Sequence, residues 1–174
     1  MFSECNFFKK DFYFIRVFFT SMDHNYWLKQ DFDKLDDAKT FADVGDVAVG
    51  VLKRLPNMLG QVCGPISTGG YGSIDKNLKA FTGTISKLIS EENSLFVQIP
   101  LEDAIFRIKS TMGDKYDPLE LLEKIYAPIF NSKKISKLFF IFGWESSFGA
   151  RWEHDFAKKA GIQIIYLPKD YVLV

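Results

Sequence analysis

Four short apolar runs, separated by stretches with a helical period, constrain this chain more than any other feature. They are Leu59 to Cys63, Ser94 to Ile99, Leu138 to Phe142 and Ile162 to Leu167. The last is apolar on both sides, so it must be covered on both faces. Strands that alternate with helices pair in parallel, because a parallel crossover needs a dozen or more residues. The pattern predicts one doubly wound α/β domain, flavodoxin-like or Rossmann-like, with helices on both faces of a mostly parallel sheet. Four to five strands are expected, in the order 2-1-3-4.

The intervening helices are legible from their apolar faces. Asp36 or Asp37 can cap one that buries Phe41, Val44, Ala48, Val51, Leu52 and Leu55 before Pro56. Asp75 begins another, burying Leu78, Phe81, Ile85, Leu88 and Ile89. A third covers Leu101 to Ile108, and Asp117-Pro118 starts a fourth that carries Leu121, Leu122 and Ile125. The last runs from about Gly149 to Gly161.

That last helix contains a misfit. Positions 149, 152, 153, 156, 157 and 160 share a face, and they read Gly149, Trp152, Glu153, Phe156, Ala157 and Ala160. The opposite face holds Arg151, His154, Asp155, Lys158 and Lys159. Glu153 is therefore a single carboxylate on an apolar stripe. It can be chemical, or it can be structural, capping its own helix or pairing with an arginine such as Arg107.

Composition narrows the function classes. A chain of 174 residues, 47% hydrophobic, is long enough for one domain with a full core. Lys plus Arg and Asp plus Glu are each 22, so no basic field exists to hold a nucleic-acid duplex. Cys5 and Cys63 suggest no disulfide framework, no Cys/His cluster has metal-ligand spacing, and a reducing, cytoplasmic setting is the default. Neither a metal nor a cofactor is expected. His24 and His154 read as solvated surface imidazoles. Residues 1–21 are rich in Phe, but Asp11 and Arg16 interrupt the run, so neither an export signal nor a membrane span is expected. They are set apart as an N-terminal extension ahead of Met22, with 22–174 as the domain.

In open parallel sheets ligands sit beyond the carboxyl ends of the strands, where strand order reverses. With the expected order, the loops after the first and third strands meet there. They are GPISTGGYGS and GWESSFGA, the most Gly- and Ser-rich stretches of the chain. The first offers Gly64, Gly69, Gly70 and Gly72 for close backbone approach, with Ser67, Thr68 and Ser73 as hydroxyl donors. It is not a Walker loop, because Gly70 and Tyr71 stand where Lys and Ser or Thr are required. The second places Ser146, Ser147 and the amides around Gly149 at a helix N-terminus, which favours an anion. A plain glycine turn and simple serine capping account for the same residues.

VCGPISTGG followed much later by SSFGARWEHDFA resembles the nucleoside 2-deoxyribosyltransferase superfamily, which includes the deoxynucleoside monophosphate N-glycosidases. The likeness spans about Leu59 to Leu167 and is nearest to a branch with GPI and GWE-x-S-x-GA motifs. Its most specific part is the spacing of Ser147, Gly149 and Glu153. The resemblance implies that Glu153 is the nucleophile, and that Gly64, Pro65, Ile66, Ser67, Thr68, Gly69 and Gly70, with Trp144, Ser146, Ser147 and Gly149, hold sugar and phosphate. It also implies a small-molecule nucleoside or nucleotide as ligand and a homo-oligomer, for which the helix of Phe41 to Leu55 is the candidate contact.

A carboxylate can displace a base from the anomeric carbon and form a glycosyl-enzyme, provided that it is ionised yet shielded. The helix dipole is expected to keep Glu153 charged while Trp152 and Phe156 exclude water. The family's further acids have no counterpart in Ala127 to Lys137, which lacks carboxylates. The general acid must come from elsewhere. Glu145 is the better placed candidate, ahead of Glu102 or Asp103. A binding or regulatory module that kept the crevice but lost these acids is the alternative.

Overall fold

The computed structural model describes residues 26–66 and 69–172. The sheet is open, parallel and three-stranded, with β1 (Leu59–Cys63), β2 (Ile135–Phe140) and β3 (Gln163–Tyr166) adjacent in that order. The protein is thus α/β, as the apolar runs imply. The expected four to five strands become three. The Ser94 to Ile99 run lies along the free side of β1 but makes only one parallel bridge, Leu95 to Gly60. Its chain then tightens into a 3₁₀ turn at Ile99–Leu101, where Pro100 has no N–H to give a ladder.

Seven α-helical segments surround the sheet among the described residues: α1 (Lys29–Asp37), α2 (Phe41–Arg54), α3 (Ile74–Ser90), α4 (Glu102–Met112), α5 (Pro118–Leu121), α6 (Ala127–Asn131) and α7 (Phe148–Ala160). Strand side chains alternate between two cores, as the pleat requires. Leu59, Cys63, Leu138 and Phe140 join the core built with α2, α4 and α7, whereas Val62, Phe139 and Ile141 pack on Phe81, Ile85 and Leu88 of α3.

Two helix starts differ from expectation. Asp36 and Asp37 end α1 instead of capping α2, whose cap is Thr40, with Asp43 returning the hydrogen bond. Phe41, Val44, Val47, Ala48, Val51 and Leu52 of α2 are all buried in the chain's own core. The apolar face of α2 is therefore occupied within the protomer, and what the helix leaves outward is a face that includes the exposed Ala42, Asp43 and Asp46.

Between α5 and α6 the helix widens into a π turn at Leu122–Tyr126. The cause is Pro128, which cannot donate to the Lys124 carbonyl and would crowd it in a regular α-helix. The freed Lys124 oxygen faces α2 at Gly45, where an added Cβ would lie 2.1 Å from it. Glycine is needed there for close approach of two backbones.

Candidate active site

The loops leaving β1 and β2 meet at the carboxyl ends of the strands. Ser146 Oγ accepts a hydrogen bond from the Gly70 amide at 2.8 Å and donates to the Gly143 carbonyl at 2.7 Å, tying the two loops together. Asn77, 2% exposed on α3, shapes the first loop from beneath. Its Nδ2 donates to the carbonyls of Ile66 and Gly69, and its Oδ1 accepts from the Tyr71 amide. Ser67 and Thr68 lie outside the described residues.

Beside these loops is a cavity of about 530 Å³, between α4, the π turn and the start of α7. Gly64 and Ile66 of the first loop line it, as do Ser147, Gly149 and Glu153 of α7 and its cap. Pro65 is buried outside the lining, while Gly69, Gly70 and Ser146 support it from the exposed loop surface. Trp144 stacks on His154, ring centroids 4.3 Å apart, away from the cavity. His154 is accordingly buried rather than solvated, and its Nε2 hydrogen-bonds the Tyr166 hydroxyl at 2.7 Å. The ring belongs to an aromatic cluster at the edge of the sheet.

Glu153 is 6% exposed and lines the cavity. Ser147 caps α7, its Oγ accepting from the Ala150 amide at 3.3 Å, so Glu153 lies well past the first turn. The helix dipole fades over that distance. Burial therefore dominates and pushes the Glu153 carboxyl up to about 8, with Glu102 raising it further and a hydrogen bond with the Cys63 thiol opposing the rise. Glu153 is therefore mostly neutral at pH 7, contrary to the charged state expected from the dipole. The suggested pairing with Arg107 is absent as well, since that guanidinium donates to the carbonyls of Leu35 and Ala38.

Glu145 is exposed and outside the lining, so the favoured acid is not at the cavity. Glu102 is. It is the first residue of α4, half-buried, and faces the same cavity as Glu153, and burial pushes it up to about 7 against the influence of Lys109. Neither carboxyl forms an ion pair among the described residues. Asp103 is exposed.

The remaining wall is mostly apolar, including Ile66, Ile74, Ile105 and Phe106, with the rings of Tyr116 and Tyr126. Cys63, Asn77, Tyr116 and Tyr126 were not foreseen as site residues. For Asn77 a signal existed: it interrupts the apolar stripe of its helix as Glu153 does. Tyr126 had none, because the π turn that presents it breaks the helical period.

Among the described residues no cluster of three or more His, Cys, Asp or Glu could hold a metal ion. No helix there is long and apolar enough to cross a membrane. Fold and site together define an α/β protein with a two-carboxyl cavity at the carboxyl end of a parallel sheet. Comparison with protein-family models, curated proteins and solved structures finds no match to this chain.

Proposed function

We propose that this protein cleaves the N-glycosidic bond of a nucleoside or nucleotide, by hydrolysis or transfer, with Glu153 as nucleophile and Glu102 as general acid. One observation carries the reading: two carboxyls without ion-pair partners face a single cavity just beyond the parallel strands. Burying such groups unpaired costs stability, and an arrangement of this kind is characteristic of acid–base chemistry. The motif spacing of Ser147, Gly149 and Glu153 supports the substrate class. The 94–97 segment is read as a reduced fourth strand, completing the doubly wound order 2-1-3-4.

In the first step a Glu153 carboxylate oxygen bonds to the anomeric carbon as the bond to the base nitrogen breaks. The electron pair leaves with the base, which takes a proton from Glu102. Glu102, now ionised, draws a proton from water or from an incoming base, whose attack releases Glu153. The apolar wall suits a flat base, and the cap of α7 suits the sugar or its phosphate. Because Glu102 ionises before Glu153, the reactive pairing of anionic Glu153 with protonated Glu102 is a minor form. The missing acids that favoured a binding module have a replacement in Glu102.

Incubation of the protein with deoxynucleosides and their 5′-monophosphates, with free base detected by chromatography, tests the reading. Base release by the parent and its loss in Glu153→Gln are expected; no release across the panel sinks the proposal.

A further inference from the structure

Tyr126 closes the π turn and is 8% exposed, yet its hydroxyl has no hydrogen bond to the protein among the described residues. A buried phenol normally finds a partner, because an unsatisfied hydroxyl carries its full desolvation cost. The sealed, unpartnered side-chain atoms among the described residues are Gln61 Nε2, Gln61 Oε1 and Gln98 Oε1. Tyr126 Oη is not one of these sealed atoms, and the residue lines the cavity with Glu102 and Glu153. Burial above all holds the phenol in its neutral, proton-donating form, and the neighbouring Glu102, Glu153 and Cys63 act in the same direction.

The backbone is arranged to bring it there. Pro128 forces the wide turn, Gly45 accommodates the displaced carbonyl, and the result puts Leu122 and Tyr126 on the cavity wall while Ile125 and Ile129 remain in the core. Irregular helix of this sort recurs at functional sites.

We infer that Tyr126 is a substrate-contact residue, its hydroxyl kept free of the protein to hydrogen-bond a hydroxyl or ring oxygen of the ligand's sugar beside Glu153. The inference rests on the nucleoside reading for the class of ligand. It assigns the cavity a polar floor of Glu102, Tyr126 and Glu153, matched to a polyol, beneath apolar walls matched to a base.

Tyr126→Phe removes one oxygen and leaves the ring. The expected result is a melting temperature at or above the parent's, since no protein bond is lost, together with binding of deoxynucleoside 5′-monophosphates weakened at least ~10-fold by calorimetry. A lower melting temperature would mean that the hydroxyl holds the fold, and would overturn the assignment. Unchanged affinity would overturn it too, as would a parent that binds none of the four common monophosphates. Base release is scored separately: a parent that binds without releasing base refutes the glycosidase reading, while the Tyr126→Phe affinity still decides the role of the hydroxyl.

Discussion

Glu153→Gln separates the two things a buried carboxyl can do. Glutamine keeps the shape but cannot ionise or attack. Burial raises the Glu153 carboxyl from its ordinary 4.5 to about 8, so between those values the folded protein holds a proton that the unfolded chain has released. Stability from this group is complete below pH ~4.5, is withdrawn as pH rises, and is fully lost above about 8. A window of that width corresponds to ~5 kcal/mol. Parent and variant should therefore be nearly equal in stability at pH 5. At pH 8.5 the variant should be more stable by several kcal/mol, or roughly 10 °C in melting temperature for a chain of this size. Urea unfolding at intervals from pH 5 to 8.5, followed by tryptophan fluorescence, reads the difference, in which titrating groups distant from Glu153 cancel. Base release should fall at least ~100-fold in the same preparation. Stability curves that run parallel, or a variant weaker at every pH, would show that Glu153 is a partnered structural carboxylate and refute the reasoning.

Base release by the parent should follow a bell-shaped pH profile with limbs near 7 and 8, set by Glu102 and Glu153. Glu102→Gln should abolish the falling limb and leave a rising limb set by Glu153 alone, displaced upward from the parent's limb near 7 but short of about 8 because the charge that raises Glu153 is gone; a flat parent profile from pH 6 to 9 contradicts the pair. Gly45→Ala drives a methyl against the Lys124 carbonyl and should cost at least ~2 kcal/mol, read as a lower melting temperature; an unchanged value denies the close approach. Ser147→Ala removes the cap of α7 and should cost ~1 kcal/mol of stability. It should also weaken a monophosphate more than its nucleoside, and equal losses would restrict Ser147 to capping.

Much of the architecture was legible locally because each signal involves neighbours in sequence. The runs at Leu59 and Ile162 supply strands, the Leu138 run supplies only the second half of β2, which begins at Ile135 and ends at Phe140, and Asp117 with Pro118 starts its helix, because propensity and capping act within a turn or a strand. The two Gly- and Ser-rich loops also meet as expected, since parallel strands deliver their carboxyl ends to one side. The misfit carboxylate at Glu153 was visible because helical periodicity defines a face before anything packs on it.

The tertiary structure decided the rest. Glu102 is 51 positions from Glu153 in the chain, and periodicity says nothing about which side chains share a cavity after folding. Glu145 is nearer in sequence yet points to solvent. His154 lies on the polar side of its helix but is buried because Trp144 and Tyr166, from other elements, pack on it. The charge of Glu153 was misjudged for the same reason: the dipole belongs to the helix, whereas the desolvation that outweighs it comes from elements distant in sequence. Local patterns set the elements and their faces; only packing sets which faces meet, how much water remains between them, and hence which protons are held.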